Sequence, residues 1–460
     1  MTHCCDEFAR SALLHRAAAQ AGQGLPSIEP GMPLPAGTGL DRQTFLLRAA
    51  GVAFSVYGAT KLPLAAFEEG IAGAAVGPRS RVLVSVFLAG GADSISVLYP
   101  AADPTYQKLR PTLAIPESAG PPFTESPVLR WHPAATSLAA LHAEGKVATL
   151  PAVGYTKANQ SHFTSRHYYE VGATDARLRT GWLGRYLDVV GTPDNPLQGL
   201  SIGGALSPPL AAAKVPVAAL SGADSYTFSA PGVSGDMSSR LLETLGALGA
   251  PTTADPALAS ARRVVSQAHA LRGQLVPFAA RGAITSPVGY PVSRDALPSR
   301  LAGLAAMLGA GLPIRAVSLN AFGQYDTHND QPEALAAGLQ LTSDSLLAFQ
   351  RDLEARGLAD RVVTLVWSDV WSEFGRRAKE NASRGTDHGA AGIGFVIGSR
   401  VRGQVIGGYP SLIDLDENGN FKPTADFRGL YGALLEQWLD IDAGAVIPDA
   451  ASFPRPQLVR

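Results

Sequence analysis

Three carboxylates and two imidazoles stand in short glycine-flanked segments. Asp93 lies in Gly90-Gly91-Ala92-Asp93-Ser94, Asp326 and His328 in Gly323-Gln324-Tyr325-Asp326-Thr327-His328, and Asp387 and His388 in Gly385-Thr386-Asp387-His388-Gly389. Carboxylate oxygen and imidazole nitrogen donors in this mixture suit Zn²⁺, Mn²⁺, Mg²⁺ or Ca²⁺. Such an ion lowers the pKa of a bound hydroxyl and offsets the charge of a phosphate or sulfate ester. In an extended stretch residues i and i+2 point the same way, so Asp326 and His328 can face one ion together. Asp387 and His388, adjacent on a glycine-bounded loop, can also converge on one ion. Each segment has a plainer reading: Asp93 as a helix N-cap, the other two as solvated loops.

A fourth segment, Asn159 to Glu170, holds Ser161, His162 and His167. Ser161 can start a helix, where free backbone N–H groups stabilise an anion. That place suits a nucleophile for phosphoryl or sulfuryl transfer, and equally a simple capping serine. Glu373 and Arg376, in Ser372-Glu373-Phe374-Gly375-Arg376, offer a carboxylate to orient a ligand and a planar fork to clamp an oxyanion. Glu373 ends the repeat Val366-Trp367-Ser368-Asp369-Val370-Trp371-Ser372-Glu373, so either Asp369 or Glu373 can fill the acidic position there. His132, His142 and His269 sit in or beside helical patterns and read as packing residues.

The elements that must position these groups are legible from periodicity. Val82 to Leu88 is a continuous apolar and β-branched run, predicting a strand buried on both faces and hence parallel. Similar runs follow at Val147 to Val153, Ile314 to Leu319, Val362 to Trp367 and Gly394 to Ile397. Helical spacing appears in Pro133 to His142, Ala334 to Leu358 and Phe427 to Leu439. Strands alternating with helices predict an α/β fold, a three-layer α/β/α sandwich with a mainly parallel central sheet. In such sheets ligands collect at the carboxyl ends of the strands.

Composition narrows the function classes. The 460 residues are 46% apolar and 17% charged, with 49 Gly and 34 Pro. That describes a loop-rich chain able to bury a large core, and not a disordered one. Lys and Arg (38) nearly balance Asp and Glu (39), which gives no electrostatic reason to expect a nucleic acid partner. The two cysteines are Cys4 and Cys5, so any metal is held by Asp, Glu and His. Residues 1–75 read as a leader, with 76–460 as one domain. Asp41-Arg42-Gln43-Thr44-Phe45-Leu46, the apolar Ala49 to Ala59 and the small residues of 71–75 resemble a twin-arginine export signal with Gln43 in place of the second arginine. That pattern points to a periplasmic or extracellular protein, and an ordinary N-terminal helix fits it too. No run is long and apolar enough to predict a transmembrane helix.

Taken together, the clusters resemble the DUF1501 proteins, a bacterial family of unassigned function within the alkaline phosphatase/sulfatase-like superfamily. The likeness runs from about Arg81 to about Phe453. It includes Val86-Phe87-Leu88-Ala89-Gly90-Gly91-Ala92-Asp93, Arg110-Pro111-Thr112-Leu113-Ala114-Ile115-Pro116, Ser161-His162-Phe163, Gly181-Trp182-Leu183-Gly184-Arg185-Tyr186-Leu187, Asp326-Thr327-His328, Ser372 to Arg376, Gly385 to Gly389 and Asp426-Phe427-Arg428. The resemblance implies an alkaline phosphatase-like fold, a nucleophilic Ser161 at a helix start, one ion on Asp93, Asp387 and His388, and a second on Asp326 and His328. No His follows His388, where phosphatases of the superfamily normally have one for the second site, which leaves that site empty, weak, or completed by His162 or His167. The Cys/Ser-x-Pro-x-Arg motif of standard sulfatases is missing from the sequence. The expected function is an exported metal-dependent hydrolase of phosphate or sulfate esters, on a small molecule or a polymer. The alternative is a non-catalytic exported binding or assembly protein with a degenerate or structural metal site.

Overall fold

The seven residues Val82–Leu88 are all buried, as a strand with apolar side chains on both faces requires. In the computed structural model, which describes residues 36, 55–57, 80–156, 158, 162–224, 236–280, 282–323, 325–368 and 375–460, this run pairs in parallel with the strand Val362–Ser368. The register runs from Val82 opposite Val362 to Leu88 opposite Ser368, so both strands end at the same level. The export-like motif at 41–46, Ser161, Asp369 and Glu373 lie outside the described residues.

The contacts divide the chain into two compact units: residues 1–80, 175–285 and 306–318, and residues 81–174, 286–305 and 319–460. In the first unit the strand Val217–Leu220 lies parallel to Gly199–Ile202 and antiparallel to Ser55–Tyr57. The helices Asp236–Gly249 and Pro256–Ala279 also belong to it. In the second unit the strand order is 82–88, 362–368, Ala391–Ile397, Val147–Gly154 and Gln404–Val405. Ala425–Asp426 also pairs in parallel with 147–154.

The α/β class is as expected, and within the second unit one strand interrupts the parallel pattern. Strand 391–397 runs antiparallel to both its neighbours. A parallel return needs a crossover of a dozen or more residues, usually a helix. Here the Arg376–Glu380 and Thr386–His388 strands, paired with each other, occupy part of the intervening chain. The predicted helices appear as Thr136–Ala143, Gln331–Ala355 and Phe427–Ala433. Helix 331–355 packs on 136–143, which in turn packs against strand 147–154.

His132 begins the short 3₁₀ turn Pro133–Ala135, and its Nδ1 accepts the Ala134 N–H at 3.0 Å. That bond needs an unprotonated Nδ1. Burial pushes the imidazole pKa from 6.5 down to about 4, against a smaller opposing pull from the Asp93 charge. The unfolded chain therefore binds a proton that the folded chain refuses between these values, and the stability present above pH 6.5 is lost as pH falls toward 4. His132→Asn keeps an acceptor for Ala134 but does not titrate. Calorimetry from pH 7 to pH 4 should find wild type losing about 3 kcal/mol more than the variant; parallel curves would contradict the assignment.

Candidate metal centre

Three segments of the second unit meet at the carboxyl ends of its strands. The turn after strand 82–88 is tied to the 321–330 loop by Ala321 N–H on Phe87 C=O and Tyr325 N–H on Ala89 C=O. Gly90 has φ +102°, and a Cβ there would stand 2.4 Å from the Asp326 nitrogen. Glycine is what lets this turn lie on the Asp326 backbone. The 381–388 loop and strand join through Thr386 N–H on Thr327 C=O. A Cβ on Gly385 would fall 2.2 Å from the His328 carbonyl, so this glycine permits the second close approach.

The approaches bring Asp326, His328 and His388 together. Among the described residues these form a group of three able to hold one ion. His388 Nε2 is 2.9 Å from Asp326 Oδ1 and 2.9 Å from His328 Nε2. His328 Nε2 is 3.1 Å from the same Oδ1. Each Nε2 carries at most one proton. If both are protonated, two donors face each other across the imidazole pair; if one is, an edge is left lone pair against lone pair. A cation at the centre satisfies all three edges at once. With ligand bonds of about 2.1 Å, donors on one face of an octahedron are about 3.0 Å apart and those of a tetrahedron about 3.4 Å. The edges are of the length that three ligands of one ion would have, and three side chains would leave further positions for water or a ligand.

The electrostatics suit the same role. Burial acts to raise the Asp326 pKa, but hydrogen bonds from His328 and His388 and the charge of Arg376 outweigh it and hold the carboxyl well below its ordinary range. Burial, helped by the Arg376 charge, pushes His388 down to about 4. The imidazole is neutral at pH 7, as a metal ligand must be.

The remaining predicted residues are placed differently. Asp93, expected beside Asp387 and His388, is fully buried and held by Arg110, with Nη1 on Oδ2 at 2.5 Å and Nη2 on Oδ1 at 3.0 Å. Ser96 and Gln331 also donate to Oδ2. A guanidinium stands where the cation was expected. Burial acts to raise the Asp93 pKa, and Arg110 more than reverses that, leaving it lowered. Asp387 is half-exposed; its Oδ1 accepts from Asn381 and lies 3.6 Å from Nδ1 of His328. It lies on the side of the ring nitrogen opposite the ligand face, beyond hydrogen-bond distance. His388 stands with Asp326 and His328, where the resemblance implied one ion on Asp93, Asp387 and His388 and a second on Asp326 and His328. His167 is buried and is not in the trio. Helix His162–Val171 starts immediately after Ser161 in sequence; the His162 side chain lies outside the described atoms.

Arg376 does not fit the role of substrate clamp. It is 1% exposed. Its Nε donates to Gly91 C=O, Nη1 to Thr386 C=O, and Nη2 to Gly90 C=O, Tyr325 C=O and Asp326 Oδ1 at 2.6 Å. A fork engaged by four carbonyls and a carboxylate fastens the three segments together beneath the centre. Arg110 does similar work: besides Asp93, it donates to the Arg377 and Ala378 carbonyls. Arg110 stands in one of the quoted motifs, yet nothing in its spacing marked a partner. Gln331 gave no signal at all.

Residues 296–423 match the model of the family described as "Protein of unknown function (DUF1501)". No curated protein matches the chain. Among solved structures, that of Ps i-CgsB is similar at TM-score 0.37 and 6% identity, covering 80% of this chain and 74% of that one. The PsFucS1 sulfatase from Pseudoalteromonas sp. is similar at TM-score 0.36 and 12% identity, covering 87% of this chain and 78% of that one. Among the described residues no helix is long and apolar enough to cross a membrane. Asp326, His328 and His388 all fall within the residues that match the DUF1501 model.

Proposed function

We propose that this protein is a metal-dependent hydrolase of phosphate or sulfate esters, with one divalent ion held by Asp326, His328 and His388. The observation that carries the reading is the triangle of ligand atoms, 2.9, 2.9 and 3.1 Å on its edges, which two imidazole protons cannot satisfy. The bound ion supplies positive charge next to the ester and lowers the pKa of a hydroxyl in contact with it. Asp387 adds negative charge behind the His328 ring. Arg376, cancelling the Asp326 charge, leaves the ion's positive charge available to an anionic ester. The resemblance in sequence assigns Ser161 as the nucleophile, immediately before helix 162–171 in sequence, and the positive end of a helix dipole favours an anion. Its oxygen forms the bond to phosphorus or sulfur as the alcohol oxygen leaves. Water then releases inorganic phosphate or sulfate, so the net reaction consumes one water. The 41–46 motif supports action outside the cytoplasm on a small or polymeric ester.

Two measurements test the reading. Elemental analysis of protein purified without chelator should find one divalent ion per chain, absent from Asp326→Ala and His388→Ala. Asp93→Asn should keep the ion while losing about 3–5 kcal/mol of stability, because Arg110 is left buried and unpaired. Loss of the ion in Asp93→Asn with retention in Asp326→Ala would overturn the assignment. With the ion loaded, hydrolysis of p-nitrophenyl phosphate or sulfate should fall at least about 100-fold in Ser161→Ala. Turnover unchanged in that variant would remove Ser161 from the mechanism, and no turnover of either ester would favour a binding protein.

A further inference from the structure

We infer that Gln331 is the positioning residue of the metal centre: its amide sets the spacing of the two segments that carry the histidines. This rests on the metal-centre reading above and adds a residue to it. Gln331 is 1% exposed and is the first residue of helix 331–355. Its Nε2 donates to Asp93 Oδ2 at 2.6 Å and to Ser96 Oγ at 3.2 Å. Its Oε1 accepts from Thr327 Oγ1 at 2.9 Å and from Thr386 Oγ1 at 2.6 Å. Two donors and two lone pairs are the full capacity of a primary amide, and here all four have partners. The orientation is fixed by chemistry, since an ionised Asp93 can only accept and must face the nitrogen.

The partners explain why this matters for the ion. Thr327 lies between Asp326 and His328, and Thr386 lies two residues before His388 along the Thr386–His388 strand. In a strand, residues two apart share a side, so fixing the Thr386 side chain fixes the direction of His388. The main chain supports the same junction: Gln331 N–H bonds to Arg384 C=O and Asp330 N–H to Ser383 C=O. Through Asp93 the amide is anchored to Arg110, whose guanidinium also grips the carbonyls of the Arg376–Glu380 strand. One buried side chain therefore connects the 93–96 turn, the Asp326–His328 loop and the His388 strand while touching none of the ligand atoms. Partners that orient ligands in this way typically carry a 10–100-fold share of metal affinity.

The test uses full-length protein and Mn²⁺ alone, with Kd from competition against a chromophoric chelator and Tm measured on metal-free samples. Gln331→Met keeps length and removes every bond, and is expected to raise Kd by about 10–100-fold. Asp352→Asn, which disturbs the partly buried Ser286, Tyr290 and Arg356 contacts at the other end of the same helix, should lower Tm and leave Kd within about twofold. Thr386→Val should also weaken Mn²⁺, and the double variant should be less impaired than the product of the singles, because both remove one shared bond. If Gln331→Met does not fold, Thr327→Val/Thr386→Val, which keeps the Gln331–Asp93 bond, is expected to show the same rise in Kd. A Kd within about twofold of wild type in these variants, whatever their Tm, would overturn the inference alone. Absence of Mn²⁺ binding in wild type would overturn the metal-centre reading as well.

Discussion

A carboxylate removed from water keeps its charge only if something positive is fixed beside it, and this protein meets that condition twice within one small region. Asp93 is matched by Arg110 and Asp326 by Arg376. Either guanidinium removed alone would leave a buried charge without its partner, which is strongly unfavourable. Both arginines also bond to carbonyls of neighbouring segments. The same two cations thus stabilise the charges and fix the loops. The difference between the pairs is solvent. Asp93 is sealed off, whereas Asp326 keeps part of its carboxylate exposed and has two imidazoles in front of it.

That difference separates a structural carboxylate from a chemical one. Asp93 has both oxygens committed to Arg110, Ser96 and Gln331, so no lone pair is directed at a ligand from outside. Asp326 Oδ1 is shared among Arg376, His328 and His388, and the imidazoles compete for it with too few protons. A divalent ion at their centre would resolve the competition. All three residues are partly exposed, so a group from solvent can reach them.

The strands and the main helices were legible because burial imposes periodicity: Val82 to Leu88 and Val362 to Trp367 could be read from their apolar runs. The ligand types Asp326, His328 and His388 were legible from residue chemistry and glycine-bounded loops. Their grouping was not. Asp-x-His and Asp-His each look like a local pair, but the antiparallel pairing that sets Arg376 opposite His388 and the close approach of Gly385 to His328 are tertiary facts. The same holds for Arg376, whose type suggests an oxyanion clamp and whose burial makes it a fastener. Gln331, before a proline at a helix start, carries no pattern that separates it from any polar N-terminal residue.

The most direct test of the single centre is anomalous diffraction from crystals soaked in Mn²⁺. One peak is expected within about 2.0–2.3 Å of Asp326 Oδ1, His328 Nε2 and His388 Nε2, with the Asp93–Arg110 pair unchanged. A peak on Asp93, or a pair of ions dividing Asp326–His328 from Asp387–His388, would contradict the account.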